Sequence, residues 1–577
     1  MQLPPSLVAL ALLAPATVAD VRDPVPLHPE SAGSLSGIVT GGNVSAALSK
    51  SASGEDIDLR LSDGRGLAWS AAIPIDAPGT DDFILTHGLR VHDEDVYVLW
   101  ADDRHYQVAL WPMVASTPFL TVVDGTTGAV GPTTPLPLTG LPQHTSADGR
   151  ALAVTEVAGA THVHVATFER LLDPVTGVIQ NRIVLDSSFD GGTTWLPRRP
   201  LTALGAVSFG NIAVLAEGTD VHVVWEDETT FAHAELFHQR SSDAGLTFDF
   251  AAPKVVPGSF DVIGWDVDLA GSTLAFGLRY LAPDFGFSWT GLLTSNDRGD
   301  TYNTPASISA PTVSVDQSFE ARIELVDGGA GVAAIGTASD FSGGNHVIAM
   351  GSSDGGQTWG PGVVLHSGPA KQTNVIASGP GRQRVVATWL EGFGFTGTPR
   401  VAVSTDGGVS FDPALTLASF ASSTPRMAWN DLYQNALAGL VPASTPKDVT
   451  VGGLRPQAID ATGFSGGSSS VQLDLEHFDG GADLGWVLLS DNTAGLPLEG
   501  GRDLGLGLSP LLGDTLNLAA TGLFAAPLSP TGAGSTGALP VPAPGLPPGL
   551  TLYAVGVGID LATLSVVDVS DVVRLDT

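Results

Sequence analysis

The chain has 577 residues, more than one hydrophobic core usually carries, with 71 Gly, 40 Pro and only 15% charged residues. That composition suits many short strands joined by turns, spread over two or more domains. The formal charge is −35 and only four basic residues are lysines (Lys50, Lys254, Lys371 and Lys447), so nucleic acid and anionic lipid are poor partners for so acidic a protein. Cysteine is absent, which excludes disulfides, thiolate metal sites and cysteine nucleophiles.

Residues 1–19 carry the pattern of a secretory signal peptide. A short apolar run from Ser6 to Leu13 is followed by Thr17, Val18 and Ala19, small residues suited to cleavage before Asp20. The segment departs from the usual pattern in having no Lys or Arg ahead of the apolar run. That run is too short to span a bilayer, so export to the secreted fraction or cell surface is expected, with no membrane insertion after cleavage.

Two repeat signals then run along the chain. The first is strand-like: Val96–Asp102, Val163–Glu169, Val221–Asp227 and Val385–Glu391 align without gaps. Each alternates apolar residues at i and i+2, with Trp or Thr at i+4, and ends on a carboxylate at i+6. The second signal is a motif of Ser, Asp, Gly, Thr or Ser, and an aromatic. It occurs at Ser188–Trp195, Ser241–Phe248, Ser295–Tyr302, Ser352–Trp359 and Ser404–Phe411. Its aspartates (Asp190, Asp243, Asp297, Asp354 and Asp406) are spaced by 53, 54, 57 and 52 residues, the period of a repeat architecture. Asp and Gly in a Ser/Thr-rich run are turn chemistry: the carboxylate accepts backbone N–H groups and Gly admits positive φ. Degenerate versions of the hairpin fall at Ser62–Trp69 and Val123–Gly128.

The five full copies resemble the Asp-box of bacterial neuraminidase-repeat proteins. That resemblance implies an all-β fold with six to eight propeller blades. Counting the degenerate hairpins gives seven, over residues 28–454, with strands near Trp429 and residues 435–441 closing the ring against the N-terminal blade. It also implies that the box aspartates are structural and peripheral. Residues 455–577 leave the repeat. Strand-like pieces at residues 471–475, 486–489, 515–519, 551–557 and 566–573 suggest a small C-terminal β-sandwich.

If the box joins the third and fourth strands of a blade, the second strand ends on the opposite face, which holds the ligand pocket in the resembling family. Asp102, Glu169, Asp227 and Glu391 are therefore the candidates for the ligand face, with Arg104, Arg279 and Tyr280 beside them. Such carboxylates suit Ca²⁺ or a polyol, or they accept hydrogen bonds from their own loops; no other cofactor is expected. The sialidase motifs are missing: Ala72, Ile73 and Pro74 lack the Arg of an Arg-Ile-Pro motif, and no arginine trio, nucleophilic Tyr or catalytic acid is identified by pattern. His162 and His164 stand at i and i+2, but His164 shares its repeat position with Tyr97 and His222, which favours packing over metal ligation. The expected function is non-catalytic binding of glycan or surface polymer at the axial face. A sialidase-like exo-glycosidase and an extracellular protein-interaction scaffold are the alternatives.

Overall fold

The computed structural model describes most of residues 32–417 and, outside that range, the individual strands given below. Residues 1–19 lie outside the described residues. The described residues form strands and a single short 3-10 turn at Asp327–Gly329. No described helix is long and apolar enough to cross a membrane.

Seven antiparallel sheets follow one another in chain order. Their first strands are Ala32–Gly41, Ile84–His92, Leu152–Val157, Phe209–Glu217, Val262–Ala270, Val315–Val326 and Ala370–Ala377. Six of these sheets have four strands and the fifth has three. An eighth sheet combines Arg426–Asn430, Asn435–Leu440 and Thr450–Arg455 with two strands from the other end of the chain, Asp20–Val21 and Val25–Pro26. Each first strand contacts the first strand of the next sheet, and Arg426–Asn430 contacts Ala32–Gly41, so the sequence of sheets closes on itself. The strands expected to pair with the N-terminal sheet thus build a separate sheet, into which Asp20–Val21 and Val25–Pro26 are drawn. Pairing across the two chain ends leaves no open gap in the ring.

The second-strand repeat explains the stacking. Val96, Val98 and Trp100 pack into a core with sheet 1, whereas Tyr97 and Leu99, on the other face of the strand, pack into a core with sheet 3. Val221, Val223 and Trp225 likewise face sheet 3, and Val224 faces sheet 5. A strand buried on both faces reads as a nearly continuous apolar run, because alternation only chooses which neighbour each residue meets. Trp100, Trp225 and Trp389 are almost fully buried. Truncating any of them to Ala would cost about 3–5 kcal/mol.

Beyond residue 455 two more sheets occur. Ala458–Thr462, Ser470–Glu476 and Gly534–Pro540 form one; Ala525–Pro527, Leu484–Ser490, Thr551–Asp560, Ser565–Val569 and Val573–Asp576 form the other. Four of the five expected strand pieces fall in these strands, the last of them broken into two, while 515–519 lies outside the described residues.

Candidate functional site

All five boxes share one hydrogen-bond pattern. In Ser241–Phe248, Asp243 Oδ1 accepts from Ser241 Oγ at 2.8 Å and from Thr247 N at 2.7 Å, while Oδ2 accepts from Thr247 Oγ1 at 2.6 Å. Ser241 Oγ in turn accepts from Gly245 N at 2.8 Å. The same bonds hold Asp190, Asp297, Asp354 and Asp406. Partial burial pushes the carboxyls of Asp190, Asp243 and Asp297 up, but the hydroxyl and backbone donors outweigh it and hold them below the ordinary value. Asp354 is held down chiefly by the Thr358 hydroxyl.

Each box leans on the sheet before it. Trp195, Phe248, Tyr302, Trp359 and Phe411 pack against the cores shared with the preceding sheets. Gly299 adopts φ +85°, and a Cβ there would lie 2.3 Å from His238 Cε1. His238 bonds Tyr302 Oη through Nδ1 and His222 Nδ1 through Nε2, both at 2.9 Å. His164 bonds Ser187 Oγ at 2.9 Å, and His162 stacks on Phe189 at 4.1 Å. Tyr97 and His164 thus sit under the next sheet's box, 3.7 Å from where a Cβ on Gly191 or Gly245 would lie, whereas His222 reaches its box through His238; the two histidines at 162 and 164 are engaged separately.

Box and strand-end carboxylates lie on opposite faces. Backbone N–H groups of Gly191, Ala244, Arg298, Gly355 and Gly407 donate to carbonyls of Thr161, Thr219, Ser272, Ala330 and Gln383, so each box sits beside the turn between the first and second strands. Glu169 lies eight residues beyond Thr161 on one strand, about 27 Å away at 3.4 Å per residue.

The strand-end residues do not all present free groups. Glu169 is fully buried and takes ion pairs from Arg182 and from Arg198, the latter at 3.4 Å. Arg198 also makes a bidentate pair with buried Asp186 at 2.8 and 2.7 Å. Burial pushes the Asp186 carboxyl up, against the opposing pull of Arg198. Glu391 pairs with Arg400 at 2.6 Å. Asp227 is half-buried on Asp220–Thr230, its Cα opposite Phe209 and Glu235. Asp102 ends Asp95–Asp102 opposite Ile84 and Thr117, and Arg104 lies outside the described residues. Arg279 and Tyr280 end Thr273–Leu281, half-buried. Burial pushes the Arg279 guanidinium down, partly offset by Glu320, and the Tyr280 phenol up. The arginines at 182, 198 and 400 went unsingled in the sequence. Only Arg182 had a cross-strand signal, directly opposite Glu169; Arg400 is registered opposite Trp389 and Arg198 lies just ahead of the strand Arg199–Pro200.

A cavity of about 520 Å³ opens elsewhere, between sheets 2 and 3 on the box side. Asp95, Asp124, Asp190, Thr134, Thr161 and Phe189 help line it, and among the described residues none in the lining is Lys or Arg. Asp95 and Asp124 are direct partners across two antiparallel strands. Asp124 Oδ1 accepts from Thr126 N, Thr126 Oγ1 and Thr127 N at 2.7–2.9 Å, led by the Thr126 hydroxyl in holding its carboxyl down at about 2. Asp95 is pushed up, first by burial and then by Asp124 and Asp93. The Tyr97 phenol beneath is pushed up to about 12 by burial.

A closed succession of antiparallel sheets, stacked first strand to first strand, is a β-propeller. No model of a known protein family matches the chain, and no curated protein matches it. Among solved structures, the chain is similar to a Hadza microbial sialidase at 18% identity, covering 59% of this chain and 73% of that one, with a TM-score of 0.31. It is similar to an ulvan lyase at 10% identity, covering 63% and 90%, with a TM-score of 0.39. It is similar to the NanB sialidase of Streptococcus pneumoniae at 11% identity, covering 78% and 96%, with a TM-score of 0.34. Likeness at this level carries nothing about activity or substrate.

Proposed function

We propose that the chain is an exported, non-catalytic propeller of eight blades with a C-terminal β-sandwich, and that it binds glycan or extracellular polymer in the cavity between sheets 2 and 3. In this reading residues 20–455 form the ring and the five box aspartates hold its hairpins. The observation that carries the binding site is the facing pair Asp95 and Asp124 in a cavity lined, among the described residues, without Lys or Arg. Like charges directly opposite in a sheet repel, and sugar hydroxyls donating to both carboxylates would relieve that repulsion. Phe189, backed by His162, offers an apolar face to a sugar ring, and the cavity is within the size range of ligand sites. This differs from the strand-end face expected in the sequence, where Glu169 and Glu391 are already paired with arginines. An array of bacterial and algal polysaccharides tests the reading. Binding that is lost in Asp95→Asn and weakened in Phe189→Ala is expected. Absence of binding to every glycan, or binding untouched by both changes, refutes it.

One observation favours a second reading, a sialidase-like glycoside hydrolase. Asp95 is pushed up while Asp124 is held down, and a pair of carboxyls displaced in opposite directions is the arrangement of a general acid and its ionised partner. Turnover of fluorogenic sialosides and other glycosides, abolished in Asp95→Asn, would establish it.

A further inference from the structure

We propose a divalent metal site, with Zn²⁺ as its ion, formed by His92, Asp93 and Glu156 at the first hairpins of sheets 2 and 3. One ligating atom from each of the three side chains lies within 4.8 Å of the other two. His92 Nε2 and Asp93 Oδ2 are 3.5 Å apart. Ligands about 2.0–2.1 Å from a tetrahedral zinc stand about 3.4 Å from one another, so this pair already has the spacing of two ligands on one ion, and a small inward shift of Glu156 completes three.

Local structure brings the groups together. Asp93 and Glu94 form the hairpin turn with φ of +48° and +67°. Glu94 is tied towards sheet 1, where its Oε1 accepts from Asn43 Nδ2 at 3.1 Å, and its carbonyl accepts from Gly125 N at 2.9 Å. Asp93, next in the turn, meets His92 instead. Glu156 stands at the end of Leu152–Val157, the first strand of the adjacent sheet. Its backbone is fixed by the ladder to Ala160–Leu172, opposite Thr161.

A second observation points to a ligand. The His92 side chain is 21% exposed, but its Nε2 is withdrawn from solvent and, with Asp93 Oδ2 at 3.5 Å, makes no hydrogen bond among the described residues. A ring nitrogen withdrawn from water without a hydrogen bond is costly, and in the tautomer that leaves Nε2 unprotonated a metal ion satisfies it. Two carboxylates converging on that nitrogen add the charge that a dication needs. One imidazole with two carboxylates suits zinc, with its fourth position left for water, better than Ca²⁺ or Mg²⁺, which take oxygen shells. The ion would staple two sheets of the ring to each other.

The test uses the full chain, stripped with chelator and titrated with Zn²⁺ by calorimetry, alongside thermal melts with and without the ion. One tight site is expected, with a Zn²⁺-dependent rise in melting temperature from binding to the folded state. Glu156→Gln and Asp93→Asn should each weaken that site by at least about tenfold and shrink the rise, while their metal-free melting temperatures show that they fold. Co²⁺ in place of Zn²⁺ should give visible absorption that His92→Gln removes. Zn²⁺ binding of equal affinity in the native chain and all three variants would refute the site, as would no binding at all.

Discussion

Lowering the pH from 7 to 5 should destabilise the ring, and the buried histidines set the size of the effect. His164, His222 and His238 are fully buried. Burial holds His164 and His222 down at about 3 and His238 well below its ordinary value, with Lys254 and Arg240 adding positive charge near His238. Protonating His238 would also put N–H on both its nitrogens, where it bonds His222 and Tyr302. In the unfolded chain the three titrate near 6.5. Below that value the unfolded state takes up protons that the folded state refuses, so stability falls as pH falls from 6.5 towards 3; above 6.5 these groups add no slope. His164 and His222 approach about 1.4 kcal/mol per pH unit each, together about 3 kcal/mol between pH 6.5 and 5, and His238 acts in the same direction. That is a large share of the roughly 5–15 kcal/mol that holds a domain folded. His162 and His366, also held down by burial, act in the same direction. Asp95 and Asp186, pushed up by burial, act with the opposite sign, so a histidine variant is the decisive control. Urea unfolding at pH 7.5, 6.5, 5.5 and 5.0 gives the slope, and His222→Gln should lower it by about one proton. A flat stability between pH 6.5 and 5, or an unchanged slope in His222→Gln, would refute the reasoning.

Four further outcomes are expected. Asp243→Ala or Asp354→Ala should cost about 1–3 kcal/mol, because Thr247 N or Thr358 N loses its acceptor; thermal melts should show the loss while glycan binding persists. Gly299→Ala should cost about 2–4 kcal/mol, since an L-residue is strained at φ +85° and its Cβ would overlap His238; denaturant titration against Gly343→Ala, where a Cβ meets nothing within 4 Å, separates backbone strain from the clash. Arg198→Met should cost about 3–5 kcal/mol because it leaves Glu169 and Asp186 buried with one cation fewer. The double change Glu169→Ala and Glu391→Ala should be additive to within about 0.5 kcal/mol by urea unfolding, because the two sites pair with different arginines.

The sequence by itself determined what is local or periodic. The box bonds run from Asp243 to residues two and four away, so Ser, Asp, Gly and Thr at fixed offsets specify the turn wherever the rest of the chain goes. The two-residue alternation in Val96–Asp102 and its relatives specified second strands, and the regular period with its Asp-box resemblance implied a ring. Tertiary structure decided whatever depends on residues distant along the chain. The eighth sheet required Asp20 to meet Arg455 and Val25 to meet Val451, pairings that follow from closure of the ring and leave no periodic mark. The carboxylates ending the second strands shared one register, yet Glu169 is neutralised by Arg182 and Arg198 while Asp227 faces Glu235 across its strand; register fixes which end a residue occupies, and the opposing strand fixes its charge environment. The cavity beside Asp95 and the meeting of His92 with Glu156 arise only where sheets 2 and 3 stack, because each sheet supplies only part of either group.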